Sequence, residues 1–373
     1  MKHLLINVNS IVNYSGRTHL SGIDRSTLGI IRELTLFETL PFQLTLFYQR
    51  IKSGGLSKYD LPFNTLRIPL PNKAFFSRAI NILSLKEILT GYDLYHIPHN
   101  TDFVKIPSKT IFTIHDLMIY KFPEFFPFTT EWERKMIKLI NNCKAVVTCS
   151  ESSKNDISYF WKISDEKIRV IRWGIDRSVF FPSPLGEIDQ IIKTFHLRPF
   201  FLVVSCDHPR KNVNLSLKAF RLFINFNKEY QLVLVWNKPP DYILKEYKKE
   251  IESDFIKFLP NLSDNELRVL YSAAKATIFT SLYEGFGFPL LESLACHTPV
   301  ITCNNSSLSE VGGDNVIYTS ESDPEELAEN MKKIANSTVI DSEFIEKTEK
   351  HLQKFSWKVT AEEYIKFYTD QLN

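Results

Sequence analysis

Apolar residues in this chain fall into two alternating kinds of run. Short β-branched and aromatic runs predict strands over residues 4–9, 43–48, 94–96, 110–114, 145–149 and 168–173. A second series predicts strands over 200–206, 231–236, 255–259, 276–280, 300–303 and 315–318. Between them lie longer stretches with helical spacing; Leu215, Ala219, Leu222 and Phe223 form one apolar stripe at i, i+4, i+7 and i+8. Strands alternating with helices predict parallel sheets covered by helices on both faces, an α/β fold. The pattern restarts after Phe181-Pro182-Ser183-Pro184-Leu185-Gly186, where Pro and Gly cluster. We therefore expect a first domain over 1–182, a second over 183–355, and a terminal helix over 356–373. Trp357, Ala361, Tyr364 and Tyr368 are the residues expected to pack that helix on a domain face. Two doubly wound domains would present the carboxyl ends of their sheets to a shared cleft, where such folds bind ligands.

Composition narrows the classes. Hydrophobic residues make up 44% and charged residues 24% of 373, an ordinary globular balance. Lys and Arg number 45 against 43 acidic residues, a net +2 too even for a nucleic-acid binder. The five cysteines (Cys143, Cys149, Cys206, Cys296, Cys303) form no CxxC pair, so we expect reduced thiols and no zinc site. The start, Met1-Lys2-His3-Leu4-Leu5-Ile6-Asn7-Val8, lacks the features of a signal peptide, and no apolar run approaches the ~18 residues of a membrane span. A cytoplasmic protein is expected, so the sequons at Asn13 and Asn261 read as chance matches. Glycine is scarce: 12 residues, less than half of the roughly 7% that is usual. Those that remain should sit where a backbone turns sharply or meets a ligand.

The most informative stretch follows the strand at 276–280: Ser281-Leu282-Tyr283-Glu284-Gly285-Phe286-Gly287-Phe288-Pro289-Leu290-Leu291-Glu292. Gly285 and Gly287 let backbone amides approach a ligand, Pro289 suits the first position of a helix, and Glu292 is expected on its first turn. Carboxylates beside a helix N-terminus disfavour free phosphate there but suit sugar hydroxyls, provided other groups hold the phosphates. A glycine turn with a capping carboxylate would explain Glu292, but not Glu284 ahead of the double glycine.

The run resembles the E-x7-E motif of GT-B retaining glycosyltransferases of the family 4 type. Other segments match that family in order: His115-Asp116-Leu117, Ser150-Glu151-Ser152-Ser153-Lys154-Asn155-Asp156-Ile157, and Ile168 through Gly174-Ile175-Asp176. Pro209-Arg210-Lys211-Asn212, Ser306-Ser307-Leu308-Ser309-Glu310-Val311 and Phe355-Ser356-Trp357 continue the series. The resemblance implies a GT-B fold, two Rossmann-like domains facing a cleft. It implies that Arg210 and Lys211 hold the donor diphosphate and stabilise its departure without a metal. Glu292 would accept both ribose hydroxyls, while Glu284 with Gly285 and the amides of Phe286, Gly287 and Phe288 would hold the transferred sugar. His115 would face that sugar from the first domain; by itself, a histidine after a strand reads as a packed residue. Gly22-Ile23-Asp24-Arg25, after Ser15-Gly16, resembles the glycine loop that approaches the diphosphate or acceptor, and reads equally as a helix start capped by Ser21.

Three positions depart from the family pattern: Ser205 and His297 stand where glycine is usual, and Ser309 where proline is. The charged groups all remain, so an active enzyme is expected rather than a non-catalytic nucleotide-sugar-binding protein. No Gly-x-Gly-x-x-Gly follows the first strand, which removes a dinucleotide oxidoreductase. No Asp-x-Asp is present, which disfavours a metal-dependent design. GDP-mannose is the first expectation for the donor, then dTDP-rhamnose or a UDP-hexose, with a glycan or lipid-linked glycan as acceptor. The aromatic stretch Phe122-Pro123-Glu124-Phe125-Phe126-Pro127-Phe128 and the pair Phe75-Phe76, near Lys73 and Arg78, read first as core or lid. A peripheral contact with the inner membrane surface is their alternative role.

Overall fold

Alternate residues of each strand point to opposite faces, and in this chain both faces are apolar. The computed structural model describes residues 1–12, 21–51, 55–71, 73–99, 104–125, 130–204, 208–337 and 340–373. Gly16, Ser205, Cys206, the Asn13 sequon and Phe126 to Phe128 lie outside the described residues. The chain divides into two compact units, Met1–Gly174 with Phe355–Asn373, and Ile175–Lys354.

The first unit holds a seven-stranded parallel sheet: β1 (His3–Asn7), β2 (Gln43–Gln49), β3 (Asn64–Ile68), β4 (Leu94–Ile97), β5 (Thr110–Thr113), β6 (Ala145–Thr148) and β7 (Ile168–Val170). Their order is β3-β2-β1-β4-β5-β6-β7. Leu4 and Ile6 of β1 join one core cluster with Ala361, Tyr364 and Tyr368. Leu5 between them joins another with Ile140, Ile157 and Trp161. The period of two along β1 thus becomes a sheet sandwiched between helices.

The terminal helix Trp357–Leu372 belongs to this first unit. Tyr368 shares a 2.7 Å hydrogen bond with His96 Nδ1, and Thr360 Oγ1 donates to the Arg172 carbonyl at 2.8 Å. Two glycines admit the helix. A Cβ on Gly29 would meet the Trp357 indole at 2.5 Å, and one on Gly174 would lie 2.2 Å from the Trp357 nitrogen. Packing within the unit therefore accounts for Gly174.

The second unit has a six-stranded parallel sheet: β8 (Phe200–Val204), β9 (Gln231–Val235), β10 (Ile256–Leu259), β11 (Ala276–Phe279), β12 (Val300–Cys303) and β13 (Ile317–Thr319). Its order, β10-β9-β8-β11-β12-β13, reverses direction between β8 and β11. That reversal leaves a crevice at the carboxyl ends of β8 and β11. Alternate residues such as Phe201, Val203, Leu232 and Leu234 pack beneath the helix Val213–Phe223.

The division falls at Gly174 rather than at residue 182, because residues 175–183 are fastened to the second unit. Phe180 meets Tyr271 edge-on, Arg177 pairs with Glu349 at 2.7 Å, and the Ser183 amide donates to Ser272 Oγ. Cys143, Cys149, Cys296 and Cys303 are buried free thiols. Among the described residues, no helix is long and apolar enough to cross a membrane.

Candidate active site

The crevice between β8 and β11 is where the most informative sequence motifs converge. After β8 the chain forms a single 3-10 turn, Pro209–Lys211, opened by His208, whose Nδ1 accepts the Arg210 amide at 3.2 Å. Asn212 ends the turn with φ +50°, a conformation asparagine tolerates better than most residues. The turn is anchored to the loop after β11, since the Leu282 amide donates to the Arg210 carbonyl at 2.7 Å. This arrangement aims two cations at one carboxylate. Glu284 Oε1 lies 2.7 Å from an Arg210 guanidinium nitrogen and 2.6 Å from Lys211 Nζ. Burial by itself would raise the Glu284 carboxyl, but the charges of Lys211 and Arg210 outweigh it and hold the pKa down to about 2. The Lys211 ammonium also lies 5.0 Å from the Phe279 ring centroid.

The glycine loop is braced from the opposite side by the helix Ser306–Gly312. The Glu284 amide donates to Ser306 Oγ at 3.0 Å, and Ser307 Oγ donates to the carbonyls of Glu284 and Phe286 at 2.9 and 2.7 Å. Ser306 takes φ +43°, a cost accepted at the residue that holds the loop. Gly287 has φ +116°, and a Cβ there would press on Leu308 at 3.1 Å, so glycine is required on both counts. The helix begins at Phe288, not at Pro289, which takes its second position. Glu292 is therefore on the second turn rather than the first, buried, with Oε2 accepting from Tyr271 OH at 3.0 Å. Phe286 and Phe288 are buried and meet edge-on at 5.2 Å.

His115 and Gly22 belong to the first unit. His115 follows β5, buried, with Nε2 3.1 Å from the Pro98 carbonyl and its ring 5.1 Å from that of Trp173. Its own carbonyl accepts Ser153 Oγ at 2.9 Å, so this bond and the Trp173 contact together join three of the sequence motifs. Burial is the largest influence on His115 and drives its pKa down to about 4, so the imidazole is neutral at pH 7. Gly22 opens the helix Gly22–Leu34, where Ser21 and Asp24 form a reciprocal capping box. The helix-start reading of this segment is what its local geometry expresses.

Sequence reasoning gave no role to Tyr271, Ser306 or Ser307. Ser306 and Ser307 lie in a run that was singled out; Tyr271 sits on the helix Asp264–Ala273 with nothing local to mark it. Of the unusual positions, His297 adopts φ +56°, the left-handed conformation that glycine takes freely, and its Nε2 pairs with Glu349 at 2.7 Å. Phe75 is exposed rather than core, and Phe125 is also exposed. Both ends of the Phe75-Phe76 pair touch, at 5.4 Å edge-on.

Residues 186–351 match the family described as "Glycosyl transferases group 1", and residues 35–179 the family described as "Glycosyltransferase Family 4". The chain is 25% identical over 241 residues to O-antigen chain mannosyltransferase B of Escherichia coli, covering 63% of this chain and 61% of the relative. It is 29% identical over 231 residues to O-antigen chain mannosyltransferase RfbU of Salmonella typhimurium, covering 61% of each. These matches span about three fifths of the two relatives' lengths. Among solved structures, the HepE protein of Anabaena in complex with UDP-glucose superposes with a TM-score of 0.74 at 17% identity, covering 99% of this chain and 100% of that one.

Proposed function

The chain belongs to the GT-B glycosyltransferases of the family 4 type, and on that premise we propose that it transfers a hexose from a nucleotide sugar to a glycan or lipid-linked glycan. The observation that carries the reading is the convergence of Arg210 and Lys211 on Glu284 at the sheet's switch point, with Glu292 held eight residues on. GDP-mannose is the donor proposed first, supported by the likeness to two mannosyltransferases. A UDP-hexose is supported by the fold shared with the HepE complex, and dTDP-rhamnose is retained from the motif pattern.

In this reading the glycosidic C–O bond to the diphosphate breaks as the acceptor oxygen bonds to the anomeric carbon. The departing diphosphate gains negative charge, which the Arg210 fork and Lys211 ammonium neutralise without a metal ion. Its oxygen takes the acceptor's proton on the same face, so configuration is retained. Glu292 binds the ribose hydroxyls, Glu284 and the 285–288 loop bind sugar hydroxyls, and neutral His115 accepts or donates a hydrogen bond to the sugar.

The test is thermal unfolding against nucleoside diphosphates and nucleotide sugars, followed by transfer assays with the donor that binds. A ligand at 100 times its Kd adds about 2.7 kcal/mol of stability. Lys211→Ala should lower turnover by ~10²-fold or more, and EDTA should leave the wild-type rate unchanged. Binding without transfer or hydrolysis would instead indicate a nucleotide-sugar-binding protein, and an unchanged Lys211→Ala rate would remove the assigned chemistry.

A further inference from the structure

Asn305 stands immediately before the helix Ser306–Gly312, where an asparagine ordinarily accepts a backbone amide from the first turn. Its side chain makes no such bond. Nδ2 instead donates to the Ser281 carbonyl at 3.2 Å and to Glu321 Oε2 at 2.7 Å, while Oδ1 accepts from Ser306 Oγ at 3.0 Å. Both amide hydrogens and the amide oxygen are therefore spent away from the helix backbone. Turned the other way, the amide would set its oxygen against a carbonyl and a carboxylate, so these partners fix its orientation. The Ser306 hydroxyl gives its hydrogen to Asn305 and keeps a lone pair for the Glu284 amide, which donates to it at 3.0 Å. Asn305 thus holds the glycine loop at Ser281 directly and at Glu284 through Ser306.

Glu321 carries the tie to the opposite side of the site. It follows β13, and its carbonyl accepts Asn212 Nδ2 at 2.9 Å, at the residue next to Lys211. The segment around it is itself pinned. The Ser320 amide donates to Glu326 Oε2 at 2.8 Å, and the Glu326 amide to Asp323 Oδ1 at 3.0 Å, at the start of the helix Pro324–Ala335. Leu327 and Met331 of that helix share a core cluster with Leu217 and Phe220, on the helix that follows Lys211. The glycine loop and the Lys211 turn are thus fastened to one residue, and that residue rests on a packed core. We propose that Asn305, with Glu321, is a positioning residue that keeps the Lys211 turn and the Glu284 loop in register, acting through those two side chains rather than on the donor. Its effect on turnover rests on the reaction proposed above; its effect on the Lys211–Glu284 pair does not.

The first measurement needs no substrate. Urea unfolding of the full chain gives the coupling between Lys211→Met and Glu284→Gln, with Asn305 present and with Asn305→Ala; the coupling should fall by about half or more when Asn305 is lost. The second is steady-state transfer. Asn305→Ala should lower kcat ~10-fold, because misplaced groups cost most in the transition state, and leave the donor KM within about twofold. Glu321→Gln keeps an oxygen acceptor for Asn305 and should stay close to wild type, whereas Glu321→Ala should fall towards Asn305→Ala. The two alanine substitutions together should be no slower than Asn305→Ala alone, since they break one connection. Glu321 is exposed, so Glu321→Ala carries both measurements if Asn305→Ala does not fold. Equal coupling in the two backgrounds would overturn the proposal, and so would a wild-type kcat in Asn305→Ala. A wild-type chain that transfers no sugar would instead remove the proposed reaction, and the coupling alone would then decide the role of Asn305.

Discussion

Replacing Glu284 by glutamine keeps the side chain's shape and removes the charge that two cations share. Glu284, Lys211 and Arg210 are 11%, 13% and 17% exposed, so water cannot substitute for the lost carboxylate at both. Removing one partner of a buried pair costs about 3–5 kcal/mol. The drop of the carboxyl from 4.5 to about 2 gives an independent figure, about 3 kcal/mol at 1.36 kcal/mol per pH unit. For a unit of this size that is a fall of about 6–12 °C in Tm. Because the folded-state pKa is depressed, the stabilisation is complete above pH 4.5 and is lost as pH falls towards 2. Urea unfolding of wild type and Glu284→Gln across this range should show a constant gap near neutrality that closes on the acid side. Adding Lys211→Met should recover part of the loss, since one uncompensated cation is then gone. A gap under about 1 kcal/mol at pH 7, a gap that does not change with pH, or strictly additive substitutions would each refute the reasoning.

Three further outcomes follow from the same geometry. Tyr271→Phe leaves the buried Glu292 short of a donor and should cost about 1–3 kcal/mol; if Tyr271 positions Glu292 for the donor nucleotide, KM for the donor rises while kcat changes little. His297→Gly relieves a left-handed backbone at φ +56° and gives up a pairing with the half-exposed Glu349. The gain of about 1 kcal/mol should exceed the loss of a surface pair, so Tm should hold or rise. Gly174→Ala drives a Cβ to 2.2 Å from the Trp357 backbone, and should destabilise the first unit by about 3 kcal/mol and expose the terminal helix to limited proteolysis.

Much of the architecture was legible because buried parallel strands are continuous apolar runs, and twelve such runs were read from the chain. The strand that escaped was β3, Asn64-Thr65-Leu66-Arg67-Ile68, an edge strand whose first residues are exposed and polar. An edge has one pairing neighbour and no second flank to bury, so its composition resembles a loop. In the site, Glu284 stood out because a capping turn does not explain a carboxylate ahead of a double glycine, and Arg210, Lys211 and Glu292 stood out through the resemblance of their segments to family motifs. Tyr271, Ser306 and Ser307 did not, because a tyrosine on a helix and two serines at a helix start are ordinary locally. Their roles depend on which loop arrives opposite them. Of the scarce glycines, Gly287 sits where the backbone turns into the left-handed region at φ +116°, whereas Gly174 is required by a neighbour from residues 356–357 that excludes a Cβ.

The sequence by itself determined the alternation of strand and helix, the two-part organisation and the charged groups of the motifs, since each depends on period, composition and residue type. Only the tertiary structure decided which cations meet which carboxylate, and that Glu292 sits a turn further along its helix. It also decided that the unit boundary falls at Gly174, and that Phe75, Ile82, Leu83, Ile88 and Leu89 of the first unit are left exposed while Ile80 is buried. Those facts depend on contacts between residues far apart in the chain, and hydrophobic period specifies which faces are apolar without specifying what they will meet.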